Sequence, residues 1–143
     1  MIFILYFIFL LNSIWYIDGM FLVEHLHDFD GEYFVYTNGY EVENLENVDI
    51  VKNYHGQILS TNIAFADSIL MNIDNVASEK IVLENESINT IKELLDIDML
   101  EEINVGGDIV LYNCYTSKLC RKIMSINGPI NIQIAIENNI ISI

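Results

Sequence analysis

Apolar and polar positions alternate along much of the chain in short runs. Phe34-x-Tyr36, Ile81-x-Leu83, Ile109-x-Leu111 and Ile130-x-Ile132-x-Ile134-x-Ile136 repeat with a period of two. That period puts one face of a β-strand in a core and the other in water. Lys80-Ile-Val-Leu-Glu-Asn85 returns almost letter for letter as Asp108-Ile-Val-Leu-Tyr-Asn113, and the same pattern can be laid on Phe34, Ile63 and Ile134. Strands are therefore expected at Tyr33–Thr37, Ile63–Phe65, around Ile81, around Ile109, at Ile130–Ile136 and in the closing Asn138–Ile143 stretch. Asn38-Gly39, set between Phe34-Val35-Tyr36 and Tyr40-Glu41-Val42, is the strongest hairpin signal. Tyr54-His55-Gly56 and Asn127-Gly128-Pro129 mark further turns. The period changes once: Thr90-Ile-Lys-Glu93 reads as a capping box, and Ile91, Leu94, Leu95, Met99 and Ile103 follow at helical spacing until Gly106-Gly107.

These elements predict a mainly β protein with one α-helix, about residues 90–103, in a single β-rich domain over residues 20–143. The Asn-Gly hairpin favours a compact antiparallel β-sandwich-like arrangement, since a parallel partner would need a crossover. The alternative is a short right-handed parallel β-helix. Ile-Val-Leu-Glu-Asn85 and Gly107-Asp-Ile-Val-Leu-Tyr-Asn-Cys114 resemble the strands of that fold in pectate-lyase-like and polymorphic-adhesin proteins, which stack aliphatics inside and asparagine at a turn. The resemblance covers residues 58–143. It implies a surface or secreted scaffold more than an enzyme, and the arginine and acidic cluster of a lyase does not come with it. In that geometry the helix is an insertion between two coils.

The first eleven residues, Met1-Ile-Phe-Ile-Leu-Tyr-Phe-Ile-Phe-Leu-Leu11, are an unbroken apolar run ending in Asn12, Ser13 and Asp18-Gly19. The run is short for a spanning helix, which needs about 20 apolar residues. Residues 1–19 are therefore read as a secretory signal peptide. No basic residue follows Met1 and the residues before Gly19 make a mediocre cleavage site, so an uncleaved N-terminal anchor is the alternative.

Charge narrows the partners. The chain carries 21 acidic against 6 basic residues, a formal charge of −15, with no lysine or arginine before Lys52. Nucleic acid is excluded as a partner, and a membrane is approached only through the N-terminal segment. A protein or glycan with a basic patch remains. The plainer reading is that the acidic surplus keeps a very apolar, strand-rich chain soluble.

Candidate chemistry is sparse. In His25-Leu-His27-Asp28-Phe-Asp30, an extended backbone would point both imidazoles to one side for a metal ion, with Asp28 and Asp30 supplying oxygens. No third ligand of recognised spacing accompanies them, and an exposed polar segment is the simpler reading. Cys114 and Cys120 are the only cysteines, and in an exported chain they are expected to form a short disulfide. Lys118, Arg121 and Lys122 place three of the six basic residues around that loop. Asn85-Glu-Ser87 is an N-glycosylation sequon. No catalytic triad, phosphate loop or cofactor motif stands out. The sequence thus points to an acidic binding or interaction module, secreted or on a cell or virion surface, acting without catalysis. A metal-dependent or carbohydrate-active enzyme using His25 and His27 is the first alternative, and a membrane-anchored structural protein the second.

Overall fold

The computed structural model describes residues 21–119 and 122–143. The apolar leader, Cys120 and Arg121 lie outside them. The described chain forms ten strands: β1 (Gly31–Thr37), β2 (Asp49–Lys52), β3 (Gln57–Asn62), β4 (Val76–Glu84), β5 (Asp98–Gly106), β6 (Ile109–Tyr115), β7 (Ile123–Ser125), β8 (Gly128–Ile130), β9 (Ile132–Glu137) and β10 (Ile140–Ser142). Three short helices accompany them: α1 (Leu22–His25), α2 (Ala66–Leu70) and α3 (Ile88–Leu95).

Eight strands join in one open sheet in the order β2-β3-β1-β4-β10-β9-β6-β5, and β7 with β8 makes a separate hairpin. Every pairing is antiparallel. The protein is mainly β and antiparallel, and the parallel β-helix is ruled out. The two letter-for-letter repeats are not successive coils: β4 pairs with β1 and β10, while β6 pairs with β5 and β9. Asn85 does close its strand in a left-handed turn (φ 58°). Asn113 instead sits within β6, where its side chain donates to Glu101 and accepts from Gln133.

Alternation buries one face of each strand, though in β1 it is Tyr33 and Val35 that turn inward and not the expected Phe34-x-Tyr36, and in β6 it is Cys114 and not Ile109-x-Leu111. Tyr33, Val35, Leu59, Ile81, Leu83, Cys114, Ile132, Ile134 and Ile141 project from the strands into one buried cluster. Leu22, Val23 and Leu26 from the α1 region, Ala66 and Ile69 from α2, and Ile91 and Leu95 from α3 complete it. Each large aliphatic so enclosed contributes roughly 1.5–3 kcal/mol from transfer out of water. Among the described residues, no buried side-chain nitrogen or oxygen lacks a hydrogen-bond partner.

Three local expectations are corrected. The Asn38-Gly39 hairpin does not form: β1 pairs with β3, and Tyr40–Val42 is loop. Neither Asn38 nor Gly39 adopts the positive φ that a tight hairpin turn requires. Buried Gln57 holds the loop instead, accepting from the amides of Glu41 and Val42 through Oε1 and donating from Nε2 to the Val42 carbonyl. The hairpin lies at Asn53–Gly56, where Asn53 Oδ1 accepts from the amides of His55 (3.0 Å) and Gly56 (2.8 Å). Gly56 is needed there because a Cβ would stand 1.9 Å from the Thr37 carbonyl oxygen.

The expected strand at Ile63–Phe65 is a 3-10 turn, and the strand precedes it as β3. The Asn62 side chain accepts from the Ala64 amide and starts the turn there.

The helix expected from Thr90 to Ile103 begins and ends earlier. Its cap is Ser87, whose hydroxyl accepts from the Asn89 amide at 3.2 Å, and Asp96 closes it in a left-handed conformation (φ 49°). Met99 and Ile103 belong to β5. Gly106 and Gly107 make the β5–β6 turn with φ of 108° and 63°. Pairing to β6 outweighed the helical spacing of those two side chains.

Candidate functional site

The sheet consists of two four-strand halves, β2-β3-β1-β4 and β10-β9-β6-β5, joined only where β10 meets β4. That joint is short. Ile140, Ile141 and Ser142 face Glu84, Leu83 and Val82, and Ile143 exchanges both backbone bonds with Ile81 at 2.8 and 2.9 Å. Beyond Ile143, β4 and β9 continue side by side with no strand between them among the described residues. They border a slot of about 590 Å3, walled by Ala77, Glu79 and Lys80 of β4 and by Ile132 and Gln133 of β9.

The slot's inner side is apolar with one polar feature. Phe21, Leu22 and Leu119 lie over it, and Glu79 is turned the same way as Ile81 and Leu83. Glu79 accepts from the Tyr33 hydroxyl at 2.7 Å, the Leu22 amide at 2.8 Å and, weakly, the Val23 amide at 3.5 Å. The carboxylate thereby meets the first free amides of α1, satisfying donors that a short helix leaves open. Burial pushes its pKa above the ordinary carboxylate value, against the lowering pull of these three donors. Burial and the neighbouring carboxylate push the Tyr33 phenol upward as well.

The outer side of the slot is polar. Ser78, Lys80, Gln133 and Ser142 share it, with the Lys80 ammonium 5.3 Å from the centre of the Phe34 ring. A second surface feature is the β7–β8 hairpin, which carries Ile123, Met124 and Ile126 exposed to water. Its turn is held by the Ser125 hydroxyl donating to the Gly128 carbonyl.

The residues singled out from the sequence do not converge on this slot. Leu22–His25 is a helical turn, so His25 and His27 are not on one side of an extended strand. His27 lies exposed, its Nδ1 against the Glu24 carbonyl at 2.8 Å and its Nε2 3.2 Å from Asp28. Asp30 accepts from Asn62 on β3. Among the described residues, no group of three or more His, Cys, Asp or Glu side chains is placed to hold a metal ion. Cys114 is wholly buried on β6, with burial pushing its thiol up to about 11, and its expected partner Cys120 lies outside the described residues, which hold no second cysteine. Asn85 is exposed at the turn after β4. No helix among the described residues is long and apolar enough to cross a membrane.

The sequence reading passed over Glu79 and Tyr33. A signal existed: Glu79 is in phase with Ile81 and Leu83, so a carboxylate occupies an inward position of an otherwise apolar strand face. No family model matches the chain, and neither a curated protein nor a solved structure shows significant similarity to it.

Proposed function

We propose that the chain is an acidic binding module, secreted or displayed on a cell or virion surface, that recognises a protein or glycan with a basic patch and performs no catalysis. The observation that supports it is the open slot between β4 and β9. It combines apolar walls with a few placed polar groups, the usual make-up of a ligand site. The formal charge of −15 favours a cationic partner and speeds its approach. Much of the acidic surface has a second role. The outer edge strand β5 presents Asp98, Glu101 and Glu102 to water, and such charges keep an open sheet edge from pairing with other chains.

The test is expression of the full sequence in a secretory host. The protein is expected in the medium or on the cell surface, with a mature N-terminus near Met20 if released. It should bind an immobilised cationic peptide, with an affinity that falls as salt rises. Retention in the cytosol with residues 1–19 intact would overturn the reading.

A further inference from the structure

Asn85-Glu86-Ser87 is the single place in the chain where a serine or threonine stands two residues after an asparagine. The pattern accepts an N-linked oligosaccharide when it is presented on a surface loop of an exported protein. The fold puts it on such a surface. β4 ends at Glu84 and α3 begins at Ile88, so these three residues are the whole connection between the strand and the helix. Glu84, Asn85 and Ser87 are exposed, as are Asn138 and Asn139 in the neighbouring β9–β10 turn. The Asn139 carbonyl accepts from the Asn85 amide at 2.8 Å and holds the two turns together.

Both groups that the modification needs are available. The side chains of Asn53, Asn62, Asn104 and Asn131 are each engaged in hydrogen bonds that hold nearby backbone. Asn85 differs. Its backbone is fixed at a φ of 58°, and among the described residues its side-chain amide makes no hydrogen bond. The Ser87 hydroxyl accepts from the Asn89 amide to cap α3, which leaves its own proton free to donate. The left-handed turn accounts for asparagine at position 85 and the cap accounts for serine at 87, and neither role consumes the group that modification uses.

We infer that Asn85 carries an N-linked oligosaccharide in the exported protein. The assignment rests on the export reading made above. The Asn85 side-chain nitrogen attacks the anomeric carbon of an oligosaccharide held on a lipid diphosphate, a donor that a eukaryotic secretory membrane supplies with its transferase. A carbon–nitrogen bond replaces the carbon–oxygen bond, the lipid diphosphate leaves, and one amide proton passes to a base. Nothing is oxidised or reduced. The sugar stands beside Ile140, the aliphatic opposite Glu84 that is 42% exposed, and adds cover to it.

The test translates the full chain in vitro in the presence of eukaryotic rough microsomes. Protease added outside the vesicles reports import, and gel mobility before and after an endoglycosidase specific for N-linked glycans reports modification. The imported chain should run as a larger species that the endoglycosidase returns to the unmodified mobility, leaving aspartate at position 85 by peptide mass spectrometry. Ser87→Thr keeps both the hydroxyl and the cap and should remain modified. Ser87→Asp keeps a capping oxygen for α3 but destroys the acceptor pattern, so the shift should vanish while import is unchanged.

An imported, protease-protected chain that shows no shift would overturn the site and leave the export reading intact, as would a shift that persists in Ser87→Asp. A chain left outside the vesicles and open to protease would overturn the export reading, and this assignment with it.

Discussion

Replacing Glu79 gives the sharpest physical test of how β1 and β4 are tied to α1. Glu79→Ala leaves the Tyr33 hydroxyl and the Leu22 amide, at 2.7 and 2.8 Å, without their acceptor, while the 3.5 Å contact to Val23 adds little. At about 1–3 kcal/mol for each of the two stranded donors, the loss is expected at about 2–6 kcal/mol. Tyr33→Phe removes one charge-assisted bond and should cost about 1.5–3 kcal/mol. The double variant should cost less than the sum by a similar amount, because the shared bond is counted in both single variants.

Glu79→Gln keeps an acceptor and changes the pH dependence instead. The folded-state pKa of Glu79 lies above its ordinary value of 4.5, so the folded protein holds this proton more tightly than the unfolded chain. Its contribution to stability is fully present below about pH 4.5 and is lost as pH rises through the folded value. The unfolding free energy of the native protein minus that of the Glu79→Gln variant should therefore fall across that window, by at most about 1.4 kcal/mol per pH unit. Urea unfolding followed by circular dichroism at several pH values measures both effects. Strictly additive Tyr33→Phe and Glu79→Ala losses, or a difference that rises with pH, would refute the reasoning.

Other outcomes follow from single contacts. Gly56→Ala forces a Cβ into the Thr37 carbonyl, and denaturant unfolding should show a loss of about 3 kcal/mol or more. Thr116 is wholly buried and donates to the Leu95 carbonyl that ends α3, so Thr116→Val should cost about 1–3 kcal/mol while Thr116→Ser keeps the bond and most of the stability. In a Cys120→Ala background, Cys114 should resist a thiol reagent at pH 8 until denaturant is added, since burial pushes its thiol up to about 11; fast labelling of the native protein would place it elsewhere.

Strand identity was legible wherever one face of a strand is greasy and the other wet. β1, β4, β6 and β9 all lie where the alternation placed strands, because a period of two is a local property of the chain, but β1 buries Tyr33 and Val35 and not Phe34-x-Tyr36, and β6 buries Cys114 on the face opposite Ile109-x-Leu111. Asn85 and Asn138 could be read as turn residues for the same reason, since asparagine tolerates the positive φ both adopt. Partner choice was not legible. Asn38-Gly39 favoured a hairpin locally, but Gln57, some twenty residues downstream, captured the backbone of Glu41 and Val42 and left β1 to β3 and β4.

The segment 97–103 shows the limit most plainly. Its apolar residues fit a helix by spacing, and a left-handed Asp96 together with an available edge on β6 made it a strand. The candidate site was hidden for a stronger reason. No motif encodes it: the slot forms where β4 of one half of the sheet comes to lie near β9 of the other, with β10 between them. The residue pattern determined that the chain would bury isoleucine on one side of short strands and show carboxylates to water. Only the tertiary structure decided which strands met, because pairing joins backbone groups far apart in sequence, and those groups carry no record of their partner.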